Sequence, residues 1–357
     1  MKNILFIFFL LIELKLSAQD PASSQFFSNP LYLNPAFAGI RYDARLGADY
    51  RNQWNAIPGK FVTYNAWADI FNPFLKGGFG LLALQDVSGE GALKTTSFGI
   101  IQSFEEFIPH IIRFRAGYNV TVTNKRIDWS KLVFSDQLDA VQGQVNSTSA
   151  PIGNSDGKTF VDFSAGGMID VPAYKKIHNV IITATIGYSA NHLTQPNDAL
   201  SGSEYGVLPR KHTVHGTLTI EFLNYIKDKK PFYISPNVIY EKQAKFTTTN
   251  VGFYAMRKPM IAGLFYRKRT FTSFKDQDSF ILFVGLCHDI KKNRIFRMGY
   301  SYDFTINHLA TNTMGSHEIS LSMEFMNKKL FAKNARIKKR NKRAVECTDF
   351  GDRSFIF

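Results

Sequence analysis

Apolar and polar residues alternate at every second position through segment after segment of this chain, and that pattern constrains its fold more than any other feature. Along 112–123, Ile112, Phe114, Ala116, Tyr118, Val120 and Val122 face one way, while Arg113, Arg115, Gly117, Asn119, Thr121 and Thr123 face the other. Ala44, Leu46, Ala48 and Tyr50 alternate with Arg45, Gly47, Asp49 and Arg51 in the same manner. So do Phe296, Met298, Tyr300, Tyr302 and Phe304 with Arg297, Gly299, Ser301 and Asp303, and Ile319, Leu321, Met323 and Phe325 with Glu318, Ser320, Ser322 and Glu324. A soluble sandwich alternates too, so length and charge placement must decide what the apolar face meets. Many of these segments run to about 9 to 13 residues, against about 5 or 6 for an ordinary strand, and a tilted membrane strand needs about 9 to 11. In the clearest segments the charges keep to one face, and a Lys or Arg on a lipid face would cost about 2 to 4 kcal/mol at mid-bilayer. The pattern therefore predicts strands that are apolar outside and polar inside, around a wet or plugged lumen.

Such segments fall near 41–51, 61–71, 77–86, 92–105, 110–123, 159–170, 179–190, 211–224, 231–241, 245–256, 259–269, 279–289, 294–304 and 315–326. The predicted fold is all-β: a single transmembrane antiparallel β-barrel of about 14 strands, an even number as bacterial single-chain barrels require. A helical membrane bundle is excluded, because no second uninterrupted apolar stretch approaches the roughly 20 residues a spanning helix needs. Bacterial barrels have short periplasmic turns and longer outer loops. With the first strand starting inside, 124–158 and 191–210 become outer loops, although 87–91 and 242–244 on the same side are short. The two long loops, with their stretches QGQVNSTSAPIGNSDG and QPNDALSGSEYG, read as solvated loops or as a partner-docking surface at the outer mouth.

Residues 1–18 combine Lys2, an apolar run from Ile4 to Ile12, and Leu16-Ser17-Ala18 before Gln19, as a secretory signal does. The expected organisation is a signal peptide over 1–18, a separate N-terminal segment over 19–40, the barrel over 41–326 and a basic tail over 327–357. The 19–40 segment carries Phe26, Phe27, Leu31, Tyr32, Leu33 and Phe37 without strand alternation, and Pro30 and Pro35 bar it from a continuous ladder. Its apolar groups must be buried, either as a periplasmic plug-like segment in the lumen or as a strap along the barrel base. A large share of the net charge of +14 comes from the tail, at Lys328, Lys329, Lys333, Arg336, Lys338, Lys339, Arg340, Lys342 and Arg343. Such a run binds nucleic acid, lies on anionic headgroups or stays solvated. Export argues against nucleic acid, and a tail on the periplasmic side would meet acidic proteins or the inner leaflet.

No catalytic, cofactor or metal site is expected. The eight histidines, His110, His178, His192, His212, His215, His288, His308 and His317, are scattered, and His212 and His215, three apart, fall on opposite faces of a strand. No CxxC, HExxH, GxSxG or phosphate-loop spacing occurs. The charges predicted to face the lumen, Arg45, Arg51, Asp69, Arg113, Arg115, Asp162, Glu221, Arg267, Asp303 and Glu324, read as an ion path or, better, as pairs that satisfy one another. Cys287 lies in a strand pattern and Cys347 in the tail, which does not make a disulfide framework.

Four words of the sequence carry a family resemblance. Near the start stand Asn29, Pro30, Leu31, Tyr32, Leu33, Asn34, Pro35, Ala36, Phe37, Ala38 and Gly39, followed by Tyr50, Arg51, Asn52, Gln53 and Trp54. Near the end stand Gly299, Tyr300, Ser301, Tyr302 and Asp303, and then Gly315, Ser316, His317 and Glu318. With these words the chain resembles the PorP/SprF family of outer-membrane proteins of the type IX secretion system in Bacteroidota. The resemblance implies an integral outer-membrane barrel of a Gram-negative bacterium that acts as no enzyme. It implies as partners other secretion components, outer-membrane lipid and a secreted cargo with a C-terminal type IX sorting domain, such as a gliding adhesin. A channel or hydrophobic-ligand transporter of the same architecture is the competing expectation. The four words themselves are expected to be architectural rather than a reaction site.

Overall fold

The computed structural model describes residues 20–325 apart from 42, 57–58, 60, 90–91, 109–111, 140, 142, 146, 150–156, 172–179, 201–205, 224–230, 272–273, 292–293 and 307–313. The expected signal peptide and basic tail, with Cys347, lie outside the described residues.

Fourteen strands close a barrel: β1 (Ala44–Gln53), β2 (Phe61–Asn72), β3 (Gly77–Ser88), β4 (Leu93–Ile108), β5 (Ile112–Ile127), β6 (Lys158–Val171), β7 (Val180–Asn191), β8 (Lys211–Phe222), β9 (Phe232–Gln243), β10 (Phe246–Arg257), β11 (Met260–Phe271), β12 (Phe274–Lys291), β13 (Arg294–Thr305) and β14 (Ser316–Phe325). Every strand pairs antiparallel with its sequence neighbours, and β1 closes the circle on β14 from Ala44↔Phe325 to Gln53↔Ser316. Closure leaves no unpaired edge, which any strand structure inside a bilayer requires. The alternation sets the faces as expected. Phe114, Tyr118 and Val122 of β5 are exposed on the outside, while Arg113 and Arg115 between them are buried inside. Exposed apolar side chains such as Ile100, Ile186, Val284 and Leu321 cover the wall from strand to strand, far more apolar surface than a protein in water presents. Lipid is the solvent that this wall fits. No helix among the described residues is long and apolar enough to cross a membrane.

Several boundaries differ from expectation. β1 begins at Ala44 rather than near 41, because Gly39 (φ +68°) turns the chain and Arg41 stays inside the barrel, 4.0 Å from Glu324. β12 begins at Phe274 and β5 runs on to Ile127, so both strands extend beyond the lengths that alternation marks.

The lumen is not uniformly polar. Tyr233, Ile239, Tyr254, Met256, Ile261, Phe265, Ile281, Phe283, Cys287 and Ile295 point inward from β9 to β13 and are buried together with Phe26, Phe27, Leu31, Leu33 and Phe37. β12 is apolar on both faces, as Phe280, Ile281, Leu282, Phe283 and Val284 show, which explains why alternation fades there. An apolar lumen wall needs an apolar filling, and the N-terminal segment supplies it.

Candidate functional site in the barrel lumen

Residues 20–41 occupy the lumen. Asn29 caps a single turn of helix, α1 (Pro30–Leu33), by accepting from the Tyr32 N–H with its side chain, and Asn34 caps the 3₁₀ turn Pro35–Phe37 by accepting from the Ala36 N–H. In both turns proline stands at the first helical position, where its missing N–H costs nothing and its fixed φ suits the helix. The repeated Asn-Pro is thus a pair of cap-and-start signals that folds apolar residues into two tight turns without a strand. Phe26, Leu31, Ala36 and Phe37 are nearly or fully buried, and each large apolar side chain so buried stabilises by about 1.5 to 3 kcal/mol.

The barrel wall is cut to receive these turns. A Cβ at Gly117 would stand 2.6 Å from the backbone carbonyl of Pro35, and one at Gly39 would stand 2.7 Å from the Gly78 Cα. Polar contacts then fix the register. The Asn34 amide donates to the Gly167 and Tyr188 carbonyls (both 3.2 Å) and to His215 Nε2 (3.1 Å). Ser103 Oγ donates to the Ala38 carbonyl (2.7 Å), Ser189 Oγ to that of Leu33 (2.8 Å) and Trp67 Nε1 to that of Ser28 (2.8 Å).

The two ends of the sequence meet at residues 23–25. Glu318 accepts from Ser23 Oγ (2.7 Å), the Ser24 N–H (2.7 Å), the Gln25 N–H (3.1 Å) and Arg51 (2.9 Å). Asp303 accepts from Ser24 Oγ (2.6 Å), Arg51 (3.0 Å) and Arg267 (2.9 Å), and the Gln25 amide donates to Ser301 Oγ (3.2 Å) and the Glu318 carbonyl (2.8 Å). Arg267 also donates to the Ser23 carbonyl (2.6 Å). Arg51, Ser301, Asp303 and Glu318, which belong to three of the four sequence words, are therefore one clasp around the segment. Gly299 leaves room for it, because a Cβ there would stand 2.8 Å from Gln25 Oε1. Trp54 and Gly315 close the rim above, where the Trp54 N–H donates to the Gly315 carbonyl (2.9 Å). Tyr50, Tyr300, Tyr302 and His317 point outward instead: Tyr300 Oη lies 2.8 Å from His317 Nδ1, and the Tyr302 ring centroid is 4.8 Å from that imidazole.

Most charges predicted to face the lumen are found in pairs. Arg45 binds Asp69 at 2.7 Å, Arg113 binds Asp170 at 3.1 Å, Arg297 binds Glu324 at 2.9 Å, and Arg115 is paired with Glu105. Glu221 accepts from Tyr233 Oη (3.2 Å). His215 is buried in the lumen and His212 lies on the outer face beside Tyr188, as their spacing requires.

A second anchor holds the start of the segment. His192, just past the end of β7, contacts Asp20 through Nε2 (2.9 Å) and Asp162 through Nδ1 (2.7 Å), and Gln243 accepts from the Asp20 N–H (3.0 Å). The two carboxylates push the His192 imidazole up to about 10 against the opposing effect of burial, so it is cationic at neutral pH. His192 in turn pulls the Asp20 carboxyl well below the usual carboxylate range, again against burial. Asp20 thus lies at the end of the barrel that bears the long 128–157 and 192–210 connections, while Gly39 reaches Asp69 at the opposite end (2.6 Å). The segment runs the length of the lumen. Sequence spacing gave no sign of the Asp20, His192 and Gln243 anchor, because its three groups are more than 50 residues apart from one another.

A family profile described as "Type IX secretion system membrane protein PorP/SprF" matches residues 15–323. No curated protein matches the chain. Among solved structures, a Pseudomonas aeruginosa FadL homologue is similar at 12% identity and TM-score 0.41, covering 82% of this chain and 92% of that one. Pseudomonas putida OprB is similar at 8% identity and TM-score 0.37, covering 79% and 93%. Likenesses this remote bear no argument about what passes through or binds this barrel.

Proposed function

This chain belongs to the PorP/SprF family of type IX secretion system membrane proteins, and from that membership we propose that it is the outer-membrane partner of a secreted cargo, serving its export or its anchoring at the cell surface. It is an integral outer-membrane component of that secretion system. The cargo of this reading carries a C-terminal type IX sorting domain, as a gliding adhesin does. The basic tail, on the periplasmic side, would meet other components of the machine, and no chemistry is asked of the barrel.

The observation that carries this reading is the filled lumen. A barrel whose lumen is crossed from end to end by its own N-terminal segment has its ends, rather than a through-going bore, available for work. Of these ends, one bears the 128–157 and 192–210 connections, the longest between strands of the barrel, and long loops mark the outer side of such barrels. Affinity purification of the tagged protein from cross-linked outer membranes, followed by mass spectrometry, tests the proposal. One large secreted protein with a type IX sorting domain is the expected co-purifying species. Recovery of lipid and general porins alone would contradict it and favour the transporter.

A further inference from the structure

We infer that a lumen cavity opening toward the loop-bearing end accepts a single basic side chain from the protein docked there, an inference that rests on the cargo-partner reading. The cavity measures about 200 Å³ and lies between the N-terminal segment and the inner faces of β3 to β6. Leu31 and Pro35 of the segment line its inner part, together with the buried Leu82 and Leu84. Asp86, Ser88 and Leu93, nearer the loop end of β3 and β4, are only half-buried, so access is from that end.

Size and charge together choose the occupant. Pockets for drug-sized ligands hold about 300 to 1,000 Å³, so this smaller space suits one long side chain rather than an oligosaccharide. Four carboxylates line it, Asp20, Asp86, Asp162 and Asp198, against Lys125 and His192. Lys125 is paired with Asp198 (2.6 Å), and His192 is shared by Asp20 and Asp162. Among the described residues Asp86 accepts from the hydroxyls of Thr63 (2.6 Å) and Ser88 (3.1 Å) and meets no cation, so its carboxylate faces the cavity. A lysine or arginine would lay its methylene stem along Leu84, Leu93 and Tyr32 and bring its cationic head to Asp86, as such side chains do on apolar surface.

Saturation-transfer NMR on the full-length protein in detergent tests this with two probes, Nα-acetyl-lysine amide and Nα-acetyl-norleucine amide, which differ in the ammonium. The lysine probe is expected to bind at least about tenfold more tightly than the norleucine probe, the size of a retained charge pair. Asp86→Asn should remove most of that preference, and Leu84→Trp, which fills the cavity, should abolish binding of both probes. Equal binding of the two probes, no binding of the lysine probe, or an unchanged preference in Asp86→Asn would each overturn the inference. These outcomes are separate from those of the cross-linked purification. Lysine binding without a recovered cargo would leave the site and sink the cargo reading, and a recovered cargo without lysine binding would do the reverse.

Discussion

Arg51 shows at the scale of one residue how much of the lumen depends on few groups. Its guanidinium meets both Asp303 and Glu318, and these two carboxylates also hold residues 23–25. Removing one partner of a buried charged network leaves the others uncompensated, at a cost of about 3 to 5 kcal/mol. Arg51→Ala is therefore expected to lower the unfolding temperature in detergent and to open the 20–40 segment to protease. Arg51→Lys should restore only part of that loss, because it cannot bridge both carboxylates as a planar fork does. His192 gives a pH dependence with a definite sign. Its folded pKa, about 10, lies above its ordinary value, so its contribution is complete below about 6.5 and is lost as pH rises through about 10. Asp20 is shifted the other way, so its contribution is present above about 3.9 and lost as pH falls through its depressed folded value. A spin label at Ala22→Cys should accordingly stay immobile at neutral pH and become mobile above about pH 10. His192→Ala should mobilise it at pH 7.

At the scale of the element, the N-terminal segment is defined as much by what the wall lacks as by its own sequence. Gly117 faces the Pro35 carbonyl at a distance no side chain tolerates. Gly117→Val is expected to unseat the 3₁₀ turn, seen as faster proteolysis of residues 20–40, while the barrel keeps its heat-resistant migration in a gel. Equal protease resistance in the variant would show that the turn does not depend on that gap. The existence of this segment and its need for burial were legible in its unalternating aromatics and its two prolines. Its path was not, because the clasp joins Ser24 to Asp303 and Glu318 across nearly the whole chain, and no local pattern encodes such pairings. The four sequence words read as architectural, and the structure gives three of them, through Arg51, Ser301, Asp303 and Glu318, a common purpose around residues that lie outside those words. Ser23, Ser24, Gln25 and Arg267 had no signal beyond being polar or lumen-facing.

For the whole molecule, fourteen alternating segments were enough to count the strands and to place the charges inside. The rule works because lipid admits only one polarity on the outer face and closure admits no edge. It weakens in β12, where the segment inside supplies an apolar environment and both faces of the wall become apolar. A bore filled in this way is the central claim, and single-channel recording in planar bilayers tests it most directly. The full chain is expected to show little or no stable conductance, and a variant lacking residues 20–38, checked for heat-resistant barrel migration, is expected to form stable pores. Stable pores of equal conductance in both would contradict the account, since the segment would then leave the barrel open.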